Sequence, residues 1–111
     1  MDNYHTIEAL CKRSYDNAVR HEFHERIPTF GVHGNDTRHI LSWLMLITTE
    51  LAEAAEAARK GDKENFAEEL ADACIRIFDT CGALGIDLEK AILDKMVFNE
   101  KRPIRHGGKL A

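Results

Sequence analysis

The sequence contains two prolines, Pro28 and Pro103, and none between them. Proline fixes φ and lacks the N–H that a helix interior needs, so a long stretch without it lets helices run. Apolar residues in that stretch recur at steps of three and four. They do not alternate, and no hairpin dipeptide sits between β-branched runs. The expected fold is therefore all-α, an antiparallel helical bundle of about four helices.

Turn residues set the expected bounds. A first helix over about residues 4–25 carries Ile7, Leu10, Cys11, Tyr15, Ala18 and Val19 at helical spacing. The segment IPTFGVHGND breaks the pattern, and Asp36 or Thr37 is the expected N-cap of helix two. That helix runs to about Lys60, with Ile40, Leu41, Trp43, Leu44, Ile47, Leu51, Ala54, Ala55 and Ala58 on its apolar side. Gly61 ends it and Asp62 caps helix three, expected from about Lys63 to Leu84. Helix three buries Phe66, Leu70, Ala73, Cys74, Ile77, Phe78 and Cys81. Gly85 stops it, and Asp87 caps a fourth helix bearing Leu88, Ala91, Ile92, Met96 and Val97. The basic, glycine-rich tail from about residue 103 is expected to be mobile.

A length of 111 residues fits one domain, residues 1–111, with a core modest enough to favour oligomerisation. Apolar and charged fractions of 44% and 31% exclude a disordered chain. The net charge of −4 argues against a nucleic-acid partner, which needs a basic face. It does not argue against a small anionic ligand reached through metal ions. Cys74 and Cys81 lie about 10 Å apart along a helix axis, too far for a disulfide. With no CxxC pair for zinc, Cys11, Cys74 and Cys81 read as small buried hydrophobes in a reducing compartment. The longest apolar run, residues 44–47, is far too short to span a membrane, and no signal peptide is visible. A cytoplasmic protein without a membrane partner is expected.

The stretch ELAEAAEAARKGDKENFAEELAD places Glu50, Glu53 and Glu56 three apart, then Glu69 and Asp72 three apart. Residues at i and i+3 share a helix face. The tight Gly61–Asp62 turn makes the two helices antiparallel neighbours. Glu53 and Glu69 stand equally far from Gly61, so four carboxylates converge at one height. Such a cluster either raises its pKa values or takes a cation, and all-oxygen ligands suit Mg²⁺ or Mn²⁺. The spacing alone also fits solvated faces, with Arg76 four after Asp72, and Arg59 and Lys60 trailing the first acids. A ferritin-like di-iron centre wants Glu-x-x-His, and no acid of helices two or three has a histidine at i+3.

The pattern Glu50-x-x-Glu53, RKGD, Glu69-x-x-Asp72, then LGIDLEKAILDKM, KMVFNEKRP and HGGK, resembles the MazG-like nucleotide pyrophosphohydrolases of the all-α NTP pyrophosphatase superfamily. The likeness spans about residues 38–109. It implies hydrolysis of a nucleoside triphosphate or deoxynucleoside triphosphate to the monophosphate and pyrophosphate. It implies Mg²⁺, with Mn²⁺ a possible substitute, on Glu50, Glu53, Glu69 and Asp72, and a homodimer or homotetramer. Thr49 stands where the family often has a further glutamate, which puts in doubt any role needing a fifth carboxylate. Glu56 and Glu68 are left to a supporting or surface role.

The resemblance also points to Lys95, Asn99 and Arg102. Offsets of four and seven put them on one helix face, where a cation–amide–cation stripe grips phosphate oxygens. Pairing of that stripe with Asp94 or Glu100 is the plain alternative. In the mechanism so implied, metal-bound water attacks the α-phosphorus while pyrophosphate leaves, and Glu50 or Glu53 orients or deprotonates the water. Trp43 and His39 are candidates to contact the base, with Phe23, Phe30, His21 and His24 also in view. The plain reading puts Trp43 in the core and His21 and His24 on the surface. A non-catalytic helical module that binds nucleotide or protein on the same fold is the alternative to an enzyme.

Overall fold

The computed structural model describes residues 5–21, 23, 24, 28 and 34–103, with residues 34–36 described by their backbone. The expectations for the mobile tail and for Phe30 lie outside the described residues. Four helices follow one another: α1 (Ile7–Arg20), α2 (Gly34–Arg59), α3 (Lys63–Leu84) and α4 (Leu88–Glu100). Among the described residues there is no strand, and no helix is long and apolar enough to cross a membrane.

The helix ends are set by local chemistry. Asp62 accepts a hydrogen bond from Asn65 N at 3.0 Å, and Asp87 from Lys90 N at 3.0 Å, each satisfying a first-turn donor. Gly61 has φ 71°, which lets Asp62 N reach back to Ala57 O at 2.9 Å and close α2 as the sequence predicts. Gly85, with φ 69°, lets Ile86 N bond Cys81 O in the same way at 2.9 Å.

Two expected ends move. α1 is shorter than residues 4–25: Thr6 caps it by accepting from Ala9 N at 3.1 Å, and Nδ1 of His21 donates to Asn17 O at 2.8 Å. Phe23 N then bonds Ala18 O at 2.9 Å, which winds the chain off the helix. α2 begins at Gly34, so Asp36 and Thr37 lie inside its first turn and do not cap it.

α3 is the central element. It packs antiparallel to α2 through the Gly61 turn and against α1 on another side, while α4 packs on α1. Glu8 N of α1 donates to Glu89 Oε1 of α4 at 3.2 Å, tying the two N-terminal turns together. The seams are lined by small side chains. Ala54, Ala57, Ala73, Ala18, Cys11 and Cys81 are buried, with Ile47 beside them. Gly82 lets α1 approach so closely that a Cβ there would stand 2.7 Å from Tyr15 Cβ and 3.0 Å from Cys11 O.

These narrow seams correct the expected core. Leu41, Leu44, Leu51, Leu70, Ile77, Met96 and Val97 are exposed, although their spacing assigns them to apolar faces. Cys74 is exposed as well, whereas Cys11 and Cys81 are buried; all three are free thiols. The physical reason is that each helix carries a wider apolar stripe than its contacts within one chain cover. Burial raises the pKa of the Cys11 and Cys81 thiols, as expected of inert core cysteines.

Candidate active site

The α2–α3 hairpin brings the acids of the two i, i+3 pairs together. Carboxylate oxygens of Glu50, Glu69 and Asp72 lie within 4.8 Å of one another. Glu53 stands against Glu69 on the adjacent turn. Burial, then a side-chain hydrogen bond with Glu53, then the charges of Glu53, Glu50 and Asp72 push the Glu69 carboxyl up to about 7. Its Oε1 is buried and has no hydrogen-bond partner among the described residues.

An orphaned carboxylate oxygen inside a ring of like charges is costly unless a proton or a cation answers it. The donors are all hard oxygens, so this cluster fits a divalent ion of the Mg²⁺ or Mn²⁺ type.

One cation already touches the cluster. Arg76 Nε donates to Glu50 Oε2 at 2.8 Å, and the Glu50 side chain is only 12% exposed. The spacing favours pairing of Arg76 with Asp72 one turn away, but the guanidinium crosses to α2. Arg59 forks onto Glu56 at 2.9 and 3.1 Å, which makes Glu56 a surface partner and not a member of the cluster. Glu68 is exposed.

Among the described contacts, none joins Lys95, Asn99 or Arg102 to the four acids. Lys95 Nζ lies 4.7 Å from the centroid of the Phe98 ring and Arg102 Cζ 5.1 Å from it, so two cations bracket one exposed aromatic. Asp94 pairs with Lys90, which leaves the alternative partnership with Lys95 unmade among the described contacts.

On the other side of Arg76 lies an aromatic group. The His39 ring stands edge-on to Trp43 at 5.1 Å, and His24 lies 4.8 Å from Trp43 and 5.8 Å from Tyr15. Trp43 is half-buried. His24 is not the surface residue expected. Its side chain is 5% exposed, and its Nε2 lies 2.8 Å from Asp79 Oδ1. The sequence signal for Asp79 and Arg76 was present: Asp72, Arg76 and Asp79 advance by four and three, one face of α3. His24 leaves no such signal, because it follows the end of α1, where periodicity stops.

Two small cavities flank Arg76. One, of about 180 Å³, is lined by Glu50, Asp72, Arg76 and Asp79 together with α1 residues such as Asn17. The other, of about 280 Å³, is lined by His24, Trp43, Leu46, Arg76, Asp79 and Thr80. A larger open groove between α1 and α3 contains none of the four acids.

The family model described as phosphoribosyl-ATP pyrophosphohydrolase matches residues 17–95, well over half of the chain. No curated protein and no solved structure matches it. The matched span carries both acid pairs, the turn between them, Arg76 and the rings of His24, His39 and Trp43, and it stops at Lys95, short of Asn99 and Arg102. This family is distinct from the MazG-like one named by the motif resemblance, and both lie in the same superfamily. The chain belongs to the phosphoribosyl-ATP pyrophosphohydrolase family, enzymes that hydrolyse phosphoric anhydride bonds, within the MazG-like all-α NTP pyrophosphatase superfamily.

Proposed function

We propose that the protein is a Mg²⁺-dependent nucleoside triphosphate pyrophosphohydrolase, releasing pyrophosphate and a nucleoside monophosphate from an NTP or dNTP. The observation that carries this reading is the orphaned, buried Oε1 of Glu69 within the Glu50–Glu69–Asp72 cluster. Those three residues would hold the cation, with Glu53 beside Glu69 as the fourth acid. When bound, the ion supplies positive charge against the triphosphate oxygens and lowers the pKa of water.

The chain's own groups do the rest. Glu53 stands outside the three-oxygen cluster and is exposed, so it is the acid left to orient or deprotonate the attacking water. Glu50 is committed to Arg76 and serves the cation. Attack at the α-phosphorus then expels pyrophosphate in line. Lys95, Asn99 and Arg102 are assigned to phosphate oxygens, which they reach through assembly and not within one chain. Exposed Leu93, Met96 and Val97 on α4, with Leu41, Leu44 and Leu51 on α2, support a homodimer or homotetramer. Three free thiols and no long apolar helix among the described residues fit a cytoplasmic setting.

Hydrolysis in heavy-oxygen water tests the reaction. The label is expected in the monophosphate product. Label in pyrophosphate, or release of orthophosphate, would place the attack elsewhere. A non-catalytic nucleotide-binding module would give no product at all.

A further inference from the structure

We propose that the 280 Å³ cavity on the far side of Arg76 is the nucleobase subsite, with Asp79 as the residue that reads the base edge and Arg76 spanning the sugar and α-phosphate. This rests on the pyrophosphohydrolase reading and adds to it the orientation of the substrate.

Four observations carry it. The cavity lies just below the usual size for a drug-sized ligand, roughly 300 Å³, so it suits a single ring system and not a whole nucleotide. Trp43 gives it a half-buried aromatic wall, and stacking on such a wall is worth about 1–3 kcal/mol per base. Asp79 supplies its polar edge. The nearly buried His24 holds Oδ1 of Asp79 at 2.8 Å, which leaves Oδ2 without a partner among the described residues. An ionised carboxylate only accepts, so the base must present an N–H there. Arg76 lines this cavity and also the one shared by Glu50 and Asp72, while its Nε is fixed on Glu50. A base in one cavity and phosphates at the acids would therefore straddle the guanidinium, whose remaining N–H groups face an α-phosphate oxygen. His24 acts through Asp79 and is a positioning residue.

Trp43 is the only tryptophan of the chain, so its fluorescence reports on the wall of this cavity. The experiment titrates the full-length protein, with Mg²⁺ present, with nucleoside monophosphates carrying each base and with ribose 5-phosphate. Saturable quenching by at least one nucleoside monophosphate and none by ribose 5-phosphate is expected. Asp79→Asn should weaken that binding about tenfold or more, the loss of one charge-assisted hydrogen bond. It should leave the Mg²⁺-induced thermal shift unchanged. In turnover, Arg76→Ala should lower kcat/KM while Arg76→Lys restores part of it. Equal quenching by ribose 5-phosphate overturns the proposal. So does unaltered affinity in a folded Asp79→Asn. Quenching with the expected Asp79 effect but no pyrophosphate release from any triphosphate keeps the subsite and rejects the reaction. Pyrophosphate release without any quenching does the reverse.

Discussion

Gly82 is the position where the packing account is most exposed to test. A methyl group at residue 82 would stand 2.7 Å from Tyr15 Cβ and 3.0 Å from the Cys11 carbonyl. Neither atom is the far end of a flexible side chain, so α1 or α3 must shift as a unit. Trimming Tyr15 to alanine would not help, because its Cβ remains. Overpacking of this kind costs about 1–3 kcal/mol. Gly→Ala in a helix interior returns up to about 1 kcal/mol through backbone entropy. The net loss expected for Gly82→Ala is about 1–2 kcal/mol. An unfolding entropy of about 2.1 cal/mol/K per residue gives about 230 cal/mol/K for this chain, so Tm should fall by about 4–8 °C. Calorimetry at fixed protein concentration measures it, because assembly would otherwise move Tm. An unchanged or raised Tm would mean that helix propensity wins and that α1 and α3 do not approach as closely as described.

Other outcomes follow from the site. Glu53→Gln and Asp72→Asn should each lower turnover at least about 100-fold while the helical circular dichroism stays intact; full activity in either folded variant would refute the assignment. Glu69 keeps its proton to about 7 when folded but only to its ordinary value, 4.5, when unfolded. The folded state then binds more protons across that window, so stability of the metal-free protein should fall as pH rises from about 4.5 to 7. Glu69→Gln should flatten the dependence; an equal slope in Glu69→Gln would show that another group carries it. For the same reason Mg²⁺ must displace a proton, and its affinity should climb with pH and level off above about 7, as read by thermal shift.

The parts of this fold legible in the sequence are those decided within a few residues. Gly61 and Gly85 need φ near +70°, and Asp62 and Asp87 need only the next turn, so the ends of α2 and α3 and the start of α4 stand where expected. The register of the α2–α3 hairpin was equally readable, because a two-residue turn leaves little choice of which acids face each other. What was not readable depends on partners far along the chain. Arg76 prefers Glu50, 26 residues away, over Asp72 one turn away, and only the packed hairpin makes that reach available. His24 is buried by Tyr15, Trp43 and Asp79 from three different helices, although its own neighbours in sequence carry no periodic signal. The exposed leucines mark the opposite failure: a helical stripe says that a face is apolar, not whether one chain suffices to cover it.

In the proposed reaction, four acids on one helical hairpin run a metal-dependent pyrophosphate release. The most direct test compares the full-length protein and Asp72→Asn on a panel of NTPs, dNTPs and phosphoribosyl-ATP, with Mg²⁺ and with EDTA. Pyrophosphate is expected from at least one substrate with Mg²⁺, none with EDTA, and none from the folded Asp72→Asn protein. Pyrophosphate release that survives both EDTA and Asp72→Asn would contradict it.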